Sequence, residues 1–123
     1  RNKEEISLLA SGLKRNGLLP MVSFARAIGL AAGSSARSTP ERLRDAAAAE
    51  RIGEGDAEAL IETQRQLMTL ILRQQLSDLR AGVRPTNKLE LSTISKDEHR
   101  KLKSNLHRLA SIIGDVHSFM SGR

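Results

Sequence analysis

Hydrophobic residues recur at intervals of three and four through most of this chain, and helix-end signals bracket each run. From Pro20 the pattern is apolar on nearly every side as far as Ala32, and Gly33 breaks it. Proline suits a first helical turn because its missing N–H would be unpaired there, and glycine enters the left-handed region after the last turn without a Cβ clash. Thr39-Pro40-Glu41 predicts a second start, with the threonine hydroxyl as cap, an acid complementing the dipole, Ala46 to Ala49 as the close-packing side and a stop at Gly53. Asp56 is expected to cap a third and longer helix that ends near Ala81, before Gly82 and Pro85. Leu60, Leu67 and Ile71, with Ile61, Met68, Leu72, Leu76 and Leu79 beside them, mark its apolar face. Ser95-Lys96-Asp97-Glu98 is a capping box that opens a fourth helix, whose seam is Leu102, Leu106, Leu109, Ile113, Val116 and Met120.

Residues 4–13 add a short candidate helix through Ile6, Leu9, Ala10 and Leu13. No stretch keeps the period of two that a half-buried strand requires; Lys88 to Leu91 comes nearest and is too short to build a sheet. The expected fold is therefore all-α: a four- or five-helix bundle, mainly antiparallel, with two long amphipathic helices. At 123 residues this is one helical domain, 1–123, with 1–12 as a linker or short helix. A chain that opens on Arg1 rather than methionine is expected to be a piece of a longer multidomain polypeptide.

The net charge of +6 is unevenly spread. Residues 1–53 carry 9 basic and 5 acidic groups, 54–81 carry 3 and 5, and 82–123 carry 8 and 4, so an acidic middle lies between two basic ends. Such ends are either solvated helix faces or a surface for phosphates. With no cysteine there is no disulfide framework, thiolate nucleophile or cysteine-based metal site. Two phenylalanines are the only aromatics, which argues against base stacking, and nucleic acid is not an expected partner. The longest uncharged stretches are ten residues, Asn16–Ala25 and Ala27–Ala36, against about 20 for a membrane helix. No membrane partner is expected, and the cytoplasm is the expected location.

Arg26 is the only charge in its apolar helix, so it should be paired or face a cleft. Arg73 interrupts the stripe of the long helix beside Gln74 and Gln75, where it serves either a neighbouring helix or a ligand. Lys14 and Arg15 precede the Pro20 helix and are placed to meet an anion near its start, or simply to be solvated. His99, His107 and His117 are spaced by eight and ten, which does not make a zinc pair. Arg100 and His107, with six residues between them, match the loose arginine-to-histidine spacing of HEPN-type helical ribonucleases. A catalytic nucleotidyltransferase site needs grouped carboxylates to hold magnesium against a triphosphate, whereas Asp45, Asp56, Asp78, Asp97 and Asp115 are scattered singly. By itself this chain is not expected to be a catalyst, and no cofactor is expected in it.

One ordered series does resemble a known family. Leu13-Lys14-Arg15-Asn16-Gly17-Leu18-Leu19-Pro20, then Phe24-Ala25-Arg26-Ala27, Thr39-Pro40-Glu41-Arg42-Leu43, Leu72-Arg73-Gln74-Gln75-Leu76 and the Arg80 to Asn87 turn resemble the C-terminal substrate-binding domain of bacterial nucleotidyltransferase-like proteins. The resemblance spans residues 12–120. It implies a partner catalytic domain, in the same parent chain, related to the uridylyltransferase of the PII nitrogen-signalling protein. That domain would hold Mg2+ and a nucleoside triphosphate, often beside CBS or cyclic-nucleotide-binding-like modules of signal transduction. It also implies that this domain helps to position the nucleotide or a protein acceptor, with Lys14, Arg15, Arg26, Arg42, Arg73 and Gln75 as candidate contacts. Ile71 departs from the pattern, since many relatives carry an arginine there. Two other readings stand beside this one: an interaction or homodimerisation module using the apolar seams, and an RNA-binding or ribonuclease domain of the HEPN kind.

Overall fold

The computed structural model describes residues 17–85 and 94–120. Four helices follow one another: α1 (Leu19–Ala31), α2 (Thr39–Ala48), α3 (Glu54–Arg80) and α4 (Lys96–Met120). No strand occurs among the described residues, so the all-α expectation holds. The expected helix at 4–13, Lys14, Arg15 and the Lys88–Leu91 stretch lie outside the described residues.

The first three helices end in the same way, and the hydrogen bonds show how. After α1, Ser34 N–H donates to the Gly29 carbonyl at 2.9 Å and Gly33 N–H to Leu30 at 3.0 Å, with Gly33 at φ +74°. After α3, Val83 N–H donates to Asp78 and Gly82 N–H to Leu79, with Gly82 at φ +73°. This is the Schellman arrangement, in which a left-handed residue turns two N–H groups back onto carbonyls that the helix leaves unpaired. The same pair closes α2, from Arg51 N–H to Ala46 and Glu50 N–H to Ala47. There the left-handed position is held by Glu50, at φ 60°. The second helix therefore stops before Glu50 rather than at Gly53, and only Ala46 of its alanine run is fully buried.

Two expected caps also shift. Ser38, not Thr39, caps α2: its Oγ accepts from Glu41 N–H at 3.3 Å and donates to the Glu41 carboxylate at 2.8 Å, while Thr39 is buried. Gly53, not Asp56, precedes α3, and Asp56 lies in the first turn, free to pair across to α4. The capping box of α4 forms as expected, with Glu98 N–H donating to Ser95 Oγ and Ser95 N–H to Glu98 Oε1, both at 3.0 Å.

The core gathers Met21, Ala25 and Ile28 of α1, Leu43 and Ala46 of α2, Leu60, Leu67 and Leu70 of α3, and Leu102, Leu109 and Ile112 of α4. α1 and α2 approach most closely at Gly29, where a Cβ would lie 3.2 Å from Cβ of Arg42. α3 and α4 run antiparallel, joined by Arg73–Glu98, Asn105–Gln66 and Arg108–Asp56.

The long helix buries the expected Leu60 and Leu67, with Ile61 and Ile71 half-buried, but the rest of its buried face differs from the expected one. Ala57, Leu60, Thr63, Leu67, Leu70, Gln74 and Asp78 are inside, while Met68, Leu72, Leu76 and Leu79 are exposed. Thr63 is satisfied by donating to the Ala59 carbonyl at 2.8 Å, and Gln74 Nε2 donates to Asp78 Oδ1 at 2.9 Å. Length explains the exposure. α3 has 27 residues, about 40 Å, whereas α2 has 10, about 15 Å, so α2 covers only part of its partner.

Candidate functional site

α1 buries one side only. Met21, Ala25, Ile28 and Gly29 face inward, so Ser23, Arg26, Ala27 and Leu30 are exposed on the other. Arg26 is exposed rather than buried in its apolar helix. It forms no ion pair with a described residue, because its side of the helix is in solvent.

Arg42 is the best-organised basic side chain nearby. Its stem packs on Gly29, and its Nε donates to the Ala36 carbonyl at 3.1 Å. The α1–α2 loop is clamped onto α2 at the same place: Ser34 Oγ donates to Asp45 Oδ2 at 2.6 Å and accepts from Ala36 N–H at 3.1 Å. One nitrogen of the guanidinium is thus spent on orientation, and the terminal pair has no partner among the described residues. A planar fork held in this way is pre-oriented for a phosphate or carboxylate. Arg26 lies about one helical turn before Gly29 but on the exposed side of α1, whereas Gly29, on which the Arg42 stem packs, faces inward.

Arg73 and Gln75 are elsewhere. Both terminal nitrogens of Arg73 engage the Glu98 carboxylate, at 3.0 and 3.1 Å, which makes this residue a tie between α3 and α4. The guanidinium beside Glu98 and the Ser95 N–H hold the Glu98 carboxyl below its ordinary value, and the same bond raises Arg73. Gln75 is half-buried on the same helix. Arg100 pairs with Asp97 on the exposed face of α4 that also carries His107. The candidates therefore divide between an α1–α2 flank and an α3–α4 seam.

A groove of about 360 Å³ lies on the opposite side of α1, with Ile28, Ala31 and Val116 as an apolar floor and Glu50, Arg51 and Asp115 at the rim. Sequence reasoning missed these three charged residues. Only the strained φ of Glu50 could have flagged them, and spacing does not show it. Among the described residues no group of three or more histidines and carboxylates is placed to hold a metal ion. No described helix is long and apolar enough to cross a membrane.

Residues 10–117 match the family described as "Putative nucleotidyltransferase substrate binding domain". No curated protein and no solved structure matches the chain.

Proposed function

Because the chain belongs to this family of nucleotidyltransferase substrate-binding domains, we propose that it forms a helical wall that holds the nucleotide or its acceptor for a catalytic domain of the same parent protein. The observation that carries the reading is the Arg42 guanidinium, oriented by the Ala36 carbonyl, with its stem packed on Gly29 and its terminal nitrogens without a partner among the described residues. A wall of this kind accelerates a reaction by holding one partner in place, which turns a bimolecular encounter into a local one. Arg42 supplies the fork and Arg26 a second positive charge, while Lys14 and Arg15 precede α1 in the chain and extend the basic run. Arg73 and Gln75 act behind this surface, Arg73 by keeping α3 against α4.

The resemblance carries the reading further, to a bacterial parent whose catalytic domain is related to the PII uridylyltransferase. Mg2+ and the nucleoside triphosphate are then matters for that domain's carboxylates, and CBS or cyclic-nucleotide-binding-like modules would carry the regulatory signal in the cytoplasm. The 123-residue chain has only to present basic groups at the edge of the cleft.

Amide NMR titration with nucleoside triphosphates and magnesium tests the reading. Saturable shifts at Arg26 and across Ala36–Arg42 that survive moderate salt, and that Arg42→Ala abolishes, support it. Shifts that disappear with salt, or that ignore Arg42→Ala, overturn the role of this flank.

A further inference from the structure

Three elements meet at the groove of about 360 Å³ beside α1, and each supplies a different part of it. α1 gives Ile28 and Ala31 and α4 gives Val116, which together make the apolar floor. Ile28 belongs to the core and Val116 packs against it, so the floor is anchored in the bundle. The end of α2 gives Ala49 and two rim charges, Glu50 and Arg51, and Asp115 of α4 is the third. A volume of this size, with an apolar lining and a few placed charges, is that of a small-molecule site.

The rim is fixed from below. Arg51 N–H donates to the Ala46 carbonyl at 2.9 Å and Glu50 N–H to Ala47 at 3.0 Å, and the next residue, Ile52, is buried. The backbone at Glu50 and Arg51 is therefore held while both side chains stand exposed. None of the side chains of Glu50, Arg51 and Asp115 forms an ion pair with a described residue. Glu50 also occupies the left-handed region, at φ 60°, where glycine would carry no strain. Residues held in such conformations recur at ligand clamps, where the side chain is in use.

We propose that this groove binds a free aliphatic α-amino acid. The charges select that class. Phosphates are disfavoured, because the rim sets two negative charges against one positive. A simple amine would leave the Arg51 guanidinium unused, and a simple carboxylate would meet Glu50 and Asp115. A zwitterion engages all three: its carboxylate takes the Arg51 fork, its ammonium takes the Glu50 and Asp115 carboxylates, and its side chain covers Ile28, Ala31 and Val116. The domain thereby has a small-molecule ligand of its own, apart from any nucleotide held at Arg42.

Amide NMR titration of the 123-residue chain with free leucine tests the assignment. Isopentylamine, which lacks the carboxylate, and isocaproate, which lacks the ammonium, are the matched compounds. Leucine should give saturable shifts at Ile28, Ala31, Arg51 and Val116, and each matched compound should bind about tenfold more weakly or worse. Arg51→Gln and Asp115→Asn change exposed side chains and should each weaken leucine about tenfold with the fold retained. Glu50→Gly removes the left-handed side chain, so its fold is not in question, and it too should weaken leucine about tenfold. Absence of saturable shifts overturns the proposal, as does equal binding of the amine or the acid. Leucine affinity that all three variants leave unchanged overturns it as well. The triphosphate titration reads Ala36–Arg42 instead, so the two readings fail separately.

Discussion

Arg73 of α3 holds Glu98 of α4 through both terminal nitrogens, while the same carboxylate accepts the Ser95 N–H that opens α4. One side chain therefore caps a helix and ties it to its neighbour. Glu98→Ala should lose both functions. The cap contributes about 1 kcal/mol and the half-exposed ion pair about 0.2–1 kcal/mol after solvent screening. Urea denaturation should show a loss of about 1–2 kcal/mol, and Arg73→Met, which spares the cap, less than half of that.

The same contact has a pH signature. Glu98 is held below its ordinary value of 4.5, first by the Arg73 hydrogen bond and then by Ser95 N–H. A depressed carboxyl contributes stability that is complete above the unfolded value and is lost as pH falls through the folded one. Stability should therefore decline below about pH 4.5, and Glu98→Gln should flatten that part of the profile. A profile unchanged by the substitution would show that other carboxylates dominate acid unfolding.

Glu50 carries the left-handed turn that glycine carries after α1 and α3. A side chain in that region costs about 1 kcal/mol. Glu50→Gly should raise stability by a comparable amount, offset in part by the freer unfolded chain. Thermal melts read the gain directly, and a lower melting temperature would mean that the Glu50 side chain makes a compensating contact.

Gly29 lets Arg42 lie flat on α1. Gly29→Val would push against Cβ and Cγ of Arg42, both within 3.3 Å of an added Cβ. Overpacking of this kind costs about 1–3 kcal/mol and should displace the guanidinium from the Ala36 carbonyl. Chemical denaturation reads the first effect, and the NMR position of Ala36 reads the second.

Arg42→Lys separates charge from geometry. The ammonium keeps the positive charge but cannot present a planar fork. If this flank grips phosphate, affinity should fall about tenfold, equivalent to about 1.4 kcal/mol, with stability changed by less than about 1 kcal/mol. Equal affinity in calorimetric titrations would assign the contact to another residue.

The sequence by itself determined the class of fold, the order of the four helices and most of their ends. Those features are local: a proline or an acid at a start, a glycine after a stop and the Ser95–Glu98 box all act within one turn. Ordered motifs also pointed to the family, because they sit in stretches whose spacing survives without any three-dimensional information. Tertiary structure decided the rest. It stopped α2 at Glu50 although no glycine marks the place, because two backbone bonds and the packing of Ile52 outweigh the strain of one residue. It turned Leu70, Gln74 and Asp78 of α3 inward and left Leu72, Leu76 and Leu79 outside, because periodicity defines a stripe but not which partner reaches it. And it placed Arg42 on Gly29, Arg73 on Glu98 and Arg26 in solvent, since contacts between residues 13 to 25 apart depend on helix crossings that no local pattern encodes.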